Sequence, residues 1–198
     1  MYIQSVRASV VPVRQRGATL VIALLILVLI MMIGITAIST SNTQYKLAGN
    51  LQFEDSAMNN AETSIAAAQQ WLVAGTNYNN AGFVGPALLA ATPQLKPIGY
   101  LATQTSPNNN PLSMTWSDTN SCAVGSSGSP CTGGNTAQRY FIELMSRNNR
   151  LQGSSQAVGG RTSSGCNQVN TYQITAKGLS ARGATKFVQS FYAVLSCP

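Results

Sequence analysis

Residues 17–38 read GATLVIALLILVLIMMIGITAI, and this stretch decides the fold. No charged residue occurs between Gly17 and Tyr45, and 18–38 are apolar except for Thr19, Gly34 and Thr36. The run has 21 residues, and an α-helix needs about 20 to cross a bilayer core. Leu, Ile, Val, Met and Ala suit that setting, because hydrocarbon cannot satisfy exposed polar groups. Arg7, Arg14 and Arg16 all precede the run. Basic residues on that side alone predict a cytoplasmic N-terminus and an exported remainder. A cleaved secretory signal competes with this reading, since Ala37-Ile38-Ser39 has a small-x-small form. Its apolar part would be only about 7–15 residues long, shorter than the run here.

Outside the run the chain is rich in Ser, Thr, Asn and Gly, and only 9% of its 198 residues are charged. The net charge of +7 raises the question of a nucleic-acid partner. Once the three leader arginines are set aside, the nine remaining basic residues are scattered, and Arg147 and Arg150 are the closest pair. Phosphate binding needs clustered Lys or Arg, so nucleic acid is not an expected partner. The four cysteines, Cys122, Cys131, Cys166 and Cys197, lie in the C-terminal part, and the chain has no histidine. Their spacing suits neither a zinc site nor a redox motif, whereas an even count in an exported segment predicts two disulfides. Three pairings are possible; the short loop favours Cys122–Cys131, leaving Cys166–Cys197 to tie down the C-terminus.

The helix is expected to continue beyond the membrane. Residues 45–72 contain no proline, and Leu51, Met58, Ile65 and Leu72 recur every seven residues, with Ala61 and Ala68 between them. That spacing places an apolar stripe on one helical face. Gly34 and Gly49 are weak points, each costing about 1 kcal/mol against alanine. Asn-rich sequence over 76–82 is expected to end the helix.

Gln15-Arg16-Gly17 followed by Ala18-Thr19-Leu20-Val21-Ile22 resembles a class III signal, and the likeness continues through Ala48-Gly49-Asn50-Leu51 and Ala61-Glu62. Over roughly 14–72 the chain resembles the PilX family of type IV pilus minor pilins, relatives of the PilK and GspK proteins. Its end, with Tyr172-Gln173-Ile174-Thr175 and Phe187-Val188-Gln189-Ser190, resembles that family's closing hairpin. The resemblance implies cleavage by prepilin peptidase between Gly17 and Ala18. It also implies an inner-membrane protein whose domain lies in the periplasm or at a surface pilus tip. Its implied partners are other minor pilins and the major pilin, and Leu20, Ile22, Leu24, Leu51, Met58, Glu62 and Ile65 are the candidate subunit-packing residues. Major pilins carry glutamate at the fifth mature position, thought to pair with a neighbour's N-terminal amine; Ile22 stands there in this chain. A buried charge left unpaired is costly, so that pairing governs docking. Lacking the carboxylate, this subunit could not neutralise one docked above it, which implies a position at the fibre tip.

The organisation expected is a leader over 1–17, a transmembrane helix over 18–38, an amphipathic helix over 39–74 and a β-rich domain over 75–198. Residues 98–118 and 138–146 hold candidate strands, notably 112–116 and 139–144, and 169–176 and 186–195 alternate more clearly about a turn at 178–183. The fold class is therefore α+β, pilin-like, with a long N-terminal helix packed on an antiparallel sheet. Gly/Ser/Asn-rich segments over 120–135 and 148–168 are expected to be loops restrained by disulfides. Catalysis is not expected, because the chain lacks histidine and only Asp118 and Glu143 remain as carboxylates beyond the helix. Asp118-Thr119-Asn120 opens like a calcium loop, but the required Gly and Glu are misplaced. No cofactor or metal is implied. The function expected is initiation of pilus assembly. The alternatives are an adhesive or DNA-binding minor pilin and a type II secretion pseudopilin, although the GspK type carries a large inserted domain for which this chain has no room.

Overall fold

The computed structural model describes residues 17–85, 91–102, 110–127, 131–150 and 168–196. The leader before Gly17, Cys166, Cys197 and most of the expected 148–168 loop lie outside the described residues. Helix α1 spans Ala18–Val73. The chain divides into two compact units, 1–49 and 50–198.

In the first unit α1 is apolar on every side, and its most hydrophobic window has none of its surface buried. The hydroxyls near the end of this window turn back onto the helix. Thr36 Oγ1 donates to the carbonyls of Met32 and Ile33 at 3.1 and 2.9 Å, Thr40 Oγ1 to Thr36 O at 2.9 Å, and Thr43 Oγ1 to Ser39 O at 3.1 Å. Donors satisfied in this way do not demand water, so the helix suits an apolar surround.

In the second unit α1 packs on a sheet. The strands are β1 (Leu95–Lys96), β2 (Cys122–Val124), β3 (Asn135–Arg150), β4 (Gln168–Leu179) and β5 (Thr185–Ser196). The order is β1-β3-β4-β5, and β2 also pairs with β3. Pairing is antiparallel from β2 through β5, while β1 adds a two-residue parallel match of Leu95 with Ile142 and Lys96 with Glu143. The sheet is therefore mixed. Period-2 alternation decides which residues face the helix. Tyr140, Ile142 and Leu144 of β3 join Tyr172, Ile174 and Ala176 of β4 in one core with Ile65, Ala68 and Leu72 of α1. Phe141 points to the other face, where Leu101, Met114, Tyr100 and Trp116 cover it.

The stripe that meets the sheet differs from the heptad expected. Ala57, Ala61, Ser64, Ile65, Ala68 and Leu72 are buried, whereas Leu51 and Met58 remain 52% and 39% exposed. The physical reason is helical drift. A seven-residue spacing slips about 20° per heptad on a straight helix, so Leu51 stands about 60° from Leu72. The small residues win because β4 comes very close at Gly178. A Cβ there would overlap the Ala57 carbonyl oxygen and the Ala61 amide nitrogen. Asn60 spans the same seam, donating from Nδ2 to Leu179 O at 2.7 Å and accepting from Gln138 Nε2 at 2.8 Å. Gly75 (φ +61°) ends the helix in the left-handed conformation usual just past a C-cap, and Asn77 Nδ2 donates to Trp71 O at 2.8 Å.

Two further expectations need correction. Residues 112–116 are not a strand but a turn closed by Asn110, whose carbonyl accepts from Met114 N at 2.8 Å and whose Oδ1 accepts from Leu112 N at 2.9 Å. Such local bonds compete with a sheet ladder. The polar tail of β3, expected to open a loop, instead runs on to Arg150 through two register shifts, with Asn148 at φ +56°. The Cys122–Cys131 disulfide is present, joining β2 to the loop after it.

Candidate assembly surface

Among the described residues, nothing covers the candidate residues on the apolar helix. Leu20, Ile22 and Leu24 are each more than half exposed, and Gly17 stands at φ +120° immediately before Ala18 opens α1. Lower on the helix, Leu51, Met58 and Glu62 are exposed as well. At 100° per residue these three lie within about 40° of one another, on a shoulder beside the face that meets the sheet. Ile65 does not join them, because it belongs to the domain's own core. The helix thus divides its apolar residues into an inner set, made mostly of small side chains, and an outer set of large ones. Sequence spacing alone merged the two sets.

Several contacts fix the outer shoulder. Lys186 Nζ pairs with Glu54 Oε2 at 3.0 Å, and the Arg182 guanidinium lies 5.0 Å from the Phe53 ring centroid. Both cations come from the β4–β5 hairpin and meet the helix just below Asn50-Leu51. Solvent screens a pair this exposed, so it sets orientation more than stability. Together with Asn60 these contacts tie the two helix turns from Leu51 to Met58 to the β4–β5 hairpin.

The opposite face of the sheet carries a second set of buried polar groups. Arg139, largely buried, donates to Asp118 Oδ1 at 2.6 Å, to Ser121 Oγ at 2.9 Å and to Ser121 O at 3.2 Å. The carboxylate singled out as a possible calcium ligand therefore serves an ion pair. Glu143 is buried, and both carboxylate oxygens accept from Leu101 N at 3.3 Å. Burial pushes its pKa up, opposed by backbone donors from the turn at Gly99, Tyr100 and Leu101. Lys96 lies beside it in register, with Nζ 4.8 Å from the Tyr100 ring centroid, and burial lowers its pKa to about 8. These groups lock the turn over 97–101 onto β3. No spacing pattern signals them, because β1 is only two residues long. A groove of about 350 Å³ lies nearby, lined by Asn110, Pro111, Leu112, Thr175, Phe187 and Gln189, with Gln189 Nε2 donating to Thr175 Oγ1 at 3.2 Å.

Comparison with known proteins bears on the helix. Residues 16–66 match the family model described as PilX N-terminal. The matched segment runs from the residue before Gly17, through the apolar run, past Leu51, Met58 and Glu62, and takes in Ala57, Ala61, Ser64 and Ile65 of the sheet-packed face. Neither the curated proteins nor the solved structures contain a match to the chain.

Proposed function

We propose that this chain, whose residues 16–66 match the PilX N-terminal family model, is a PilX-type minor pilin of type IV pili that starts fibre assembly and occupies the fibre tip. In this reading α1 waits in the inner membrane with its basic leader in the cytoplasm. Prepilin peptidase cuts after Gly17, freeing the amine of Ala18. The helix then packs laterally on other pilin helices through Leu20, Ile22 and Leu24, and lower down through Leu51, Met58 and Glu62. The assembled group presents a surface to which major pilin subunits add. The protein acts as a structural component, its work being packing rather than catalysis.

The observation that carries the proposal is the uncovered outer set on α1. A helix apolar on every side needs lipid or other helices around it. The shoulder of Leu51 and Met58 extends that requirement beyond the apolar run, and helix-helix packing in a fibre would answer both. Ile22 supports the tip position by the charge argument. A subunit without a carboxylate at that depth offers no counter-charge to the amine of a subunit above it, and an unpaired buried charge is costly.

Deletion of the gene, scored for surface pili and paired with mass spectrometry of the mature N-terminus, tests the proposal. Loss of pili with a chain starting at Ala18 is the expected result. Retained piliation would point to a binding role instead, and a chain starting at Thr40 would mean ordinary signal cleavage. An adhesive reading finds some support in the neutral, aromatic-flanked groove beside Phe187, and Phe187→Ala would then abolish attachment while leaving pili intact.

A further inference from the structure

The groove of about 350 Å³ beside Phe187 has two walls from different parts of the second unit. One wall is strand surface, where Thr175 of β4 stands opposite Gln189 of β5 and, two residues nearer the hairpin, Lys177 stands opposite Phe187. The other is the turn of Asn110, Pro111 and Leu112. Trp116 ties the walls together. Its Nε1 donates to Pro111 O at 2.9 Å, and its ring centroid lies 5.4 Å from that of Phe141 and 6.0 Å from that of Phe187. The groove is thus shaped before any ligand arrives, which lowers the ordering cost of binding.

The lining side chains are of two kinds. Phe187, Pro111 and Leu112 offer apolar surface, and Leu112 is 72% exposed. Asn110 and Gln189 offer neutral polar groups. Thr175 Oγ1, buried in the floor, accepts from Gln189 Nε2 at 3.2 Å, which leaves Gln189 Oε1 as an acceptor without a partner among the described residues. Asn110 Oδ1 accepts from Leu112 N at 2.9 Å, which leaves Asn110 Nδ2 as a donor in the same position. The backbone of the turn, by contrast, is already engaged. Asn110 O receives Ser113 N and Met114 N at 3.1 and 2.8 Å, Pro111 O receives Trp116 Nε1, and Leu112 N is held by Asn110. An extended peptide, which relies on main-chain bonds, finds no such partner there. No charged residue lines the groove, and Lys177, opposite Phe187, is not among the lining residues.

We propose that this groove is a subsite for one neutral pyranose ring of a glycan. A pyranose has a face of C–H groups suited to an aromatic ring and a rim of hydroxyls that each donate and accept. The Phe187 ring takes the C–H face, Gln189 Oε1 accepts from one hydroxyl and Asn110 Nδ2 donates to another. The volume stands at the small end of the range for ligand sites, about 300–1,000 Å³, and suits a single ring. A charged sugar meets no counter-charge in the lining, so its charge would be desolvated without return. The inference deepens the adhesive alternative and is independent of the assembly role, so its failure would leave that role untouched.

Saturation-transfer NMR on the full chain, in micelles of a zwitterionic detergent without a sugar headgroup, tests it. The probes are methyl β-galactoside, representing terminal sugars of cell-surface glycans, and methyl β-N-acetylglucosaminide, representing wall polysaccharide. At least one should bind saturably, with the C–H protons of one ring face receiving most saturation, and the stronger of the two identifies the source. Phe187→Ala should weaken binding about tenfold or more, while Phe187→Tyr retains it. Gln189→Ala should weaken it about threefold to tenfold, the effect of one lost hydrogen bond. Its thermal transition should stay unchanged, because Gln189 is exposed, and this variant decides the matter if Phe187→Ala unfolds. Glucuronate should bind more weakly than the neutral sugars. Absence of saturable binding by both neutral sugars, equal affinity of the parent and the two alanine variants, or stronger binding of glucuronate would overturn the proposal. So would a preference for acetyl-alanyl-phenylalanyl-alanine amide over both sugars, for the groove would then be a peptide site.

Discussion

Gly178 shows what a missing side chain can do. The backbone of β4 lies against α1 at Ala57 and Ala61, and a methyl group would overlap main-chain atoms that have nowhere to move. Gly178→Ala is therefore expected to destabilise the domain by about 1–3 kcal/mol, the usual cost of overpacking, read as a lower thermal midpoint with the disulfide intact. Glu143 makes a second prediction at this scale. Its folded pKa is raised above the ordinary 4.5 mainly by burial, so the folded chain holds more protons than the unfolded one. Stability is then full below about pH 4.5 and falls as pH rises through the raised value. Glu143→Gln keeps an acceptor for Leu101 N and removes the charge. Urea midpoints should decline with rising pH in the parent across that interval and stay level in the variant. Lys96 contributes with the opposite slope and higher up, between its lowered value of about 8 and the ordinary 10.5, where rising pH adds stability.

Among the elements, α1 was the most legible in sequence and also the source of the main misreading. Its apolar run needed only composition and length. Its lower half needed the drift of a straight helix against a seven-residue spacing, and that drift moves Leu51 and Met58 off the sheet. Because they are exposed on the domain's surface, Leu51→Lys and Met58→Lys should leave the domain's melting curve within about 0.5 kcal/mol, as surface changes do. Under the proposed function they should reduce co-purification with other pilins, and Ile65→Lys should instead unfold the domain. β4 and β5 were legible because each alternates over many residues and closes on a short turn. β1 is too short to show any period, and the tail of β3 is too polar. The segment 112–116 reads as a strand by residue type, yet Asn110 commits it to a turn through local bonds. The Cys122–Cys131 pairing followed from the short loop between them.

At the scale of the molecule, the expected boundary at residue 75 separates a helix from a β-rich domain, but the core ignores it. Ile65, Ala68 and Leu72 belong to the same cluster as Tyr172 and Ile174. A soluble chain beginning at 76 would expose that cluster and is expected to give a poorly dispersed NMR spectrum, whereas one beginning at 50, where the compact unit starts, should give sharp and dispersed signals. The buried polar groups beyond the sheet were not legible, because turn geometry and not spacing brings Lys96, Tyr100 and Glu143 together. The seam at Gly178 also has an evolutionary consequence. Residue 178 meets main-chain atoms of 57 and 61, so no side-chain change at either makes room for it. Position 178 is therefore held to glycine, and among descendants of this chain the seam should stay fixed while the outer face of the helix diverges with its neighbours.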